Sequence, residues 1–241
     1  MQEEKLKAIA FETATEACSV ALYVDGEVTE FHEIVPRKHT ERLLPMMQQL
    51  LSEAEITIEQ LDFIAFGRGP GAFTGVRIAA SVAQGVALGA DLPVVPVSSL
   101  AVLAQGCYEK TSATTILSAI DARMGEVYWS IYKPAETGLV ELVQDEQVIP
   151  PEDVSITVEL TDNIAAVGSA WTTYKDKLTD ICSQPINSYD EDIYPHAHYL
   201  IKLAVSEFDS GNSVVPELAL PVYLRDNVAK KSTKPPLVIS K

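Results

Sequence analysis

Apolar and polar positions along this chain alternate, run together and recur at helical spacing, and they mark a series of strands and helices. Residues 5–11 alternate and then run apolar, which predicts a strand. Residues 19–24 read as its return strand and residues 27–35 as a third, with Asp25-Gly26 as the hairpin turn between them. Residues 40–54 carry Leu43, Met47, Leu50 and Ala54 on one helical face, with Leu44 and Leu51 beside it. Pro45 suits only the start of a helix, so the regular helix is expected to begin close to it. Residues 61–66 form the next expected strand. A glycine-rich loop follows, then a helix over residues 74–89 with Thr74 as its expected cap. Residues 93–97 read as a strand, and Ser98 or Ser99 can cap a helix running through Ala104 and Gln105.

The pattern then starts again. Residues 115–120 read as a strand, Asp121-Ala122-Arg123-Met124-Gly125 as a turn, and residues 126–132 as a return strand. In both halves an acidic residue ends a strand and a tyrosine ends the return strand eleven positions later, Glu12 to Tyr23 and Asp121 to Tyr132. Such a repeat suggests a duplicated α/β unit with a cleft between the copies. There the acidic turns would face the cleft and hold a magnesium-bound water or a phosphate-bound metal. The alternative is that both acids simply start a turn, and the pattern leaves the two readings open.

Gly67 to Arg77 spends four glycines, a proline and two arginines ahead of a helix of small residues. Glycine is concentrated where a backbone turns sharply or approaches something closely. A strand, a glycine turn and a helix N-terminus together suit an anion. The loop is not a Walker A motif, because no lysine lies between Lys38 and Lys110. Nor is it a dinucleotide fingerprint, because Pro70 occupies the turn and the third glycine is out of place. Small residues at Gly75, Ala79, Ala83 and Ala87 favour close helix packing over phosphate.

Composition narrows the setting. The chain has 241 residues, and its 47% apolar content is ample for a core. No apolar run reaches the roughly 20 residues of a membrane span, and the acidic start lacks a signal peptide's apolar stretch. Cys18, Cys107 and Cys182 are odd in number and lack paired spacing, which suits reduced thiols and a cytoplasmic location. A net charge of −16 repels nucleic acid phosphates. Between Glu136 and Asp192 thirteen acidic residues face two basic ones, whereas the stretch after Tyr223 is basic. Both read as solvated surface, with Lys230 and Lys231 the candidate contact for RNA.

Four segments carry a family signature: Glu12 to Leu22, Gly67 to Arg77, Asp121 to Trp129, and Pro221-Val222-Tyr223-Leu224-Arg225. In this order they resemble the bacterial TsaB (YeaZ) family over nearly the whole chain, with the acidic middle matching loosely. The resemblance implies the duplicated actin, sugar-kinase and heat-shock-ATPase fold, two subdomains around a cleft. The expected division is residues 1–108, residues 109–222 and a basic tail at 223–241. It further implies a part in making threonylcarbamoyladenosine beside the anticodon of transfer RNA, as a non-catalytic scaffold for the catalytic subunit TsaD, joined by the ATPase TsaE. Transfer RNA would be met only through that complex, and the chain alone is expected to form a homodimer.

The residues fit a non-catalytic role. No two of His32, His39, His196 and His198 are four apart, so the helical histidine pair of the TsaD side is absent and no metal is expected. His196 and His198 would share a strand face, with no evident third ligand. Glu12 stands where the family usually has aspartate, Ala72 where it has serine and Ala79 where it has glycine. The expected partner surface is a pair of helices carrying His39, Leu43, Met46, Met47, Leu50, Leu51, Gly75, Arg77, Ala79, Ala83 and Ala87, with Met46 pointing outward. Any cofactor would be loosely held, with ATP or ADP at the interface with TsaD and Gly69, Gly71, Glu12 and Asp121 as the candidate contacts. The rival reading is a nucleotide-binding transferase or ATPase in its own right that uses the cleft acids. A peptidase using Cys18 or Cys107 with His39 is a third reading, without any supporting motif.

Overall fold

The computed structural model describes residues 6–190 and 194–225. The first half runs β1 (Lys7–Glu12), β2 (Ala17–Val24), β3 (Glu27–Ile34), α1 (His39–Glu53), β4 (Phe63–Gly69), α2 (Phe73–Ala90), β5 (Val94–Ser98) and α3 (Ser99–Thr111). The second runs β6 (Thr115–Arg123), β7 (Glu126–Pro134), β8 (Val140–Ile149), β9 (Ile164–Val167), α4 (Ala170–Thr173), α5 (Lys175–Asp180), β10 (Ser188–Tyr189) and α6 (Ala197–Asp209). The sheets are ordered β3-β2-β1-β4-β5 and β8-β7-β6-β9-β10. In each, the first strand is central, antiparallel to its hairpin partner and parallel to the fourth. The two sheets therefore share one topology, which establishes the duplicated, actin-like α/β fold.

Strand β1 is buried on both faces, and its two sets of side chains differ in size. Ala8 and Ala10 face a core that the sheets share with α3 and α6. Ile9 and Phe11 face the opposite side, under α1 and α2. Small residues on the shared side let the central helices approach the strands closely. A third core, around Trp129, Trp171 and Leu178, covers the far face of the second sheet.

The halves exchange helices. α3 packs on β6, β7, β8 and β9, while α6 lies across all five strands of the first sheet. The units are thus interleaved in sequence, and a cut between residues 108 and 109 would not separate two packed bodies. Of the basic tail, residues 226–241 lie outside the described residues, and with them Lys230 and Lys231.

Three local expectations need correction. α1 begins at His39, so Pro45 lies in its second turn rather than at its start. Burial of His39, Leu43, Met46 and Met47 against the sheet holds that first turn helical despite the missing N–H. α2 starts at Phe73 and has no side-chain cap, so Thr74 is already inside the helix. His196 and His198 do not share a strand, because His196 precedes α6 and His198 lies within its first turn. The cap expected for α3 is found: Ser98 Oγ accepts from the N–H groups of Leu100 and Ala101.

Candidate functional site

The glycine loop closes on the turn between β1 and β2. A Cβ on Gly75 would stand 2.0 Å from the Thr13 carbonyl oxygen, and one on Gly71 2.4 Å from that of Ala14. Ala72 N–H donates to the Ala14 carbonyl at 2.7 Å, and Thr13 Oγ1 donates to the Gly75 carbonyl at 2.7 Å. Gly69 is required for another reason, its φ of +92°. The loop glycines thus serve close backbone packing. Their neighbour is the first hairpin turn of the same chain.

Glu12 lies beneath that turn and is 1% exposed. Its carboxylate accepts from Ala14 N–H at 2.7 Å and from Ser99 Oγ at 2.8 Å. Burial outweighs these bonds and pushes its pKa up from 4.5 to about 7. A Cβ on Gly67 would come 2.1 Å from its Oε2, so Gly67 is the residue that makes room for it. Glu12 therefore faces inward rather than into the cleft, which corrects its expected place as a cleft acid.

The cleft itself is a cavity of about 670 Å³ between the two hairpin turns. Thr15, Glu16, Gly71 and Arg77 line one wall, and Asp121, Arg123, Met124 and Ser169 the other. Asp121 is the one predicted acid that reaches it. Its carboxylate is already held by Arg123, which donates from its backbone N–H at 2.8 Å and from Nη1 at 3.2 Å. Arg123 also reaches across to Glu16 at 3.1 Å.

A strap over residues 221–225 crosses the cleft. Val222 N–H donates to the Arg68 carbonyl at 2.9 Å, and Arg77 Nε donates to Tyr223 Oη at 2.7 Å. Arg225 then bonds the Ala122 carbonyl at 3.1 Å and pairs with the Glu126 carboxylate. The strap ties the first lobe to the second hairpin. Deeper in, Glu146 of β8 bridges the sheets by bonding Arg68 of β4 at 3.2 Å and Ser98 at the end of β5.

Burial works against thiolate chemistry at the three cysteines. Cys18 and Cys107 are buried, and burial pushes their thiols up to about 12; Cys182 is raised to about 11 by the same cause. His39 is buried, with Nε2 3.1 Å from the Ala17 carbonyl. Among the described residues, no histidine lines the cleft.

The expected partner surface is turned inside out. Leu43, Met46, Met47, Leu50 and Leu51 of α1 and Ala79, Ala83 and Ala87 of α2 all belong to the core beneath the two helices. Met46 is 2% exposed, not outward-pointing. Gly75 and His39 are buried as well, and Arg77 alone of that set is exposed, stacked 3.4 Å from the Phe73 ring centroid. The physical reason is the sheet's own demand for cover: β1, β2 and β4 present Phe11, Val20, Ile64 and Phe66 on that side. What the helices leave open to solvent includes Leu44, on the flank of the buried face of α1, at 41% exposure, and Leu88, on the outer face of α2, at 66%. Ser81, Gly85 and Gly89 are exposed on the same side of α2.

Comparison with known proteins agrees with this architecture. Residues 27–233 match the family model described as TsaD, tRNA N6-adenosine threonylcarbamoyltransferase. The tRNA threonylcarbamoyladenosine biosynthesis protein TsaB of Escherichia coli (strain K12) is 44% identical over 94% of this chain and 97% of its own length. Its namesake in Haemophilus influenzae is 40% identical over 95% of this chain and 97% of its own length. The solved structure of YeaZ from Pseudomonas aeruginosa superposes with a TM-score of 0.85 at 43% identity, covering 91% of this chain and all of that one.

Proposed function

The chain belongs to the TsaB (YeaZ) family of tRNA threonylcarbamoyladenosine biosynthesis proteins, and from that premise we propose that it is the non-catalytic scaffold subunit of that modification. The observation that carries this reading is the state of its acids. Glu12 is sealed under its own hairpin, and Asp121 is tied to Arg123. Neither is left to hold a metal-bound phosphate as a catalytic acid would.

A scaffold needs a docking face, and the outer side of α1 and α2 supplies one. Leu44 and Leu88 project from neighbouring helices, and the small positions Ser81, Gly85 and Gly89 leave α2 flat enough for a partner helix. A TsaD-type subunit, built on the same duplicated fold, would present the matching helix pair. TsaE would join the assembled pair, and transfer RNA would be handled by the complex. A second copy of this chain would compete for the same face.

Leu44→Glu combined with Leu88→Glu tests the surface. Calorimetry against the TsaD-type partner should show at least a hundredfold loss of affinity with the fold intact. Undiminished affinity in the folded double variant removes this surface. Reconstitution of the modification with each subunit omitted in turn tests the role. A nucleotide-dependent activity of the chain itself is the second reading, supported by the 670 Å³ cleft with Asp121 at its wall. Magnesium-dependent ATP turnover abolished by Asp121→Asn would establish it over the scaffold role.

A further inference from the structure

Side chains from β3 and from the start of α6 meet outside the cleft wall already described. Glu30 and His32 are alternate residues of β3, so their side chains fall on one face of an edge strand. His196 is the residue immediately before α6. The His32 and His196 rings stack with centroids 3.7 Å apart and planes inclined by 10°. Glu30 Oε2 lies 3.1 Å from His196 Nδ1. One donor atom from each of the three lies within 4.8 Å of the other two.

From this grouping we infer that Glu30, His32 and His196 form a binding site for a divalent transition-metal ion of the zinc class. Two imidazoles and a carboxylate are a zinc donor set, and three protein ligands leave the fourth position to water. Ligands on one tetrahedral ion, bound at about 2.1 Å, stand roughly 3.4 Å apart. The Glu30–His196 pair already has nearly that spacing, with a proton where the ion would sit. His32 has to do more: its ring is stacked almost parallel on that of His196, so it must tilt out of the stack by side-chain rotation before both rings can point a nitrogen at one ion.

The surroundings hold the carboxylate ready. Ser19 Oγ donates to Glu30 Oε1 at 2.6 Å, and the N–H of His198 donates to the same oxygen at 3.1 Å. Ser19 Oγ in turn accepts from Ala197 N–H at 2.9 Å. One carboxylate oxygen therefore caps α6, and the other is fixed toward His196. The side chains of His196 and Glu30 remain 20% and 18% exposed, which gives an ion a way in. Bound there, the ion would clip the edge strand β3 to α6.

The test uses the full chain without an affinity tag, stripped by chelator and titrated with Co²⁺ as a spectroscopic probe. One equivalent should produce the d–d absorption of a nitrogen- and oxygen-ligated cobalt, and Zn²⁺ should displace it. Zn²⁺ should also raise the melting temperature, since it binds the folded chain. His32→Ala and His196→Ala should each weaken binding by about a hundredfold, at the upper end of what loss of even an outer partner costs. Glu30→Gln, which keeps the cap's acceptor, should weaken it as well. No cobalt band in the unaltered protein overturns the proposal, whatever the variants do. So does binding that persists in the His32→Ala, His196→Ala double variant but is lost in His198→Ala.

Discussion

Replacing Glu12 by glutamine turns the buried acid of the first hairpin into a test of how its charge is handled. Glutamine is isosteric and keeps both contacts: its oxygen accepts from Ala14 N–H, and its amide donates to Ser99 Oγ. The space beside Gly67 is unchanged. What the substitution removes is the proton equilibrium. A carboxyl raised from 4.5 to about 7 carries about 3 kcal/mol between its protonated and ionised forms. The sign follows from proton counting. Between pH 4.5 and about 7 the folded protein keeps a proton that the unfolded chain has released, so this group's contribution to stability falls as pH rises. Below 4.5 it contributes no difference; above 7 the full penalty applies.

The assay is urea unfolding of the parent and Glu12→Gln proteins at about pH 4.5, 6 and 8, reading the difference in unfolding free energy. Other titrating groups cancel in that difference. The variant's advantage should grow by about 2 kcal/mol from pH 4.5 to 6 and by about 3 kcal/mol by pH 8. A difference independent of pH would refute the raised pKa. A difference that grows the other way would mean that Glu12 is ionised and stabilised by charge inside the hairpin.

Other outcomes follow from the same geometry. Gly75→Ala places a methyl group 2.0 Å from the Thr13 carbonyl oxygen, and urea unfolding should show a loss of at least about 2 kcal/mol. Gly85→Ala meets nothing within 4 Å and should stabilise α2 by roughly 0.5–1 kcal/mol in the same assay. If α2 docks a partner through its outer face, Gly85→Ala should also weaken that binding while the isolated chain becomes more stable, and calorimetry separates the two effects. Arg225→Ala removes the strap's anchor to Glu126 and the Ala122 carbonyl; about 1–3 kcal/mol should be lost, with faster proteolysis within residues 219–225.

Elements with a local signature were legible in the sequence. β1 through β7 follow from alternation, turn residues and the Ser98 cap, and the repeat follows from the matched spacing of Glu12–Tyr23 and Asp121–Tyr132. The second half was legible only as far as β7: β8 has ten residues, but its pairing with β7 shifts register and its burial does not alternate, and β9 and β10 have 4 and 2 residues, too few to show a period. The exchange of α3 and α6 was invisible for another reason. An amphipathic helix announces that it has an apolar face but not which sheet that face will meet. Where a pattern was read with the wrong neighbour, as with the glycine loop, the residue type had correctly signalled close approach. The atom approached, the Thr13 carbonyl, lies 62 residues away in the chain.

The helix pair shows the same limit acting on function. A stripe of Leu, Met and Ala at helical spacing is equally the mark of a partner surface and of a core face. The deciding quantity is how much apolar sheet the chain has to cover. Here Phe11, Val20, Ile64 and Phe66 demand that cover, so the more apolar face of each helix is spent internally. In the proposed scaffold reading the docking role falls to the weaker signal, a leucine on each helix and glycines with open space beside them. That assignment makes opposite predictions for the two faces. Glutamate at Leu43 or Met47 should unfold the chain and abolish binding together, because both side chains are buried. Glutamate at Leu44 or Leu88 should abolish binding alone. If the inner-face variants remain folded and selectively lose the partner, α1 and α2 must leave their sheet in the complex, and the interface is formed from the core itself.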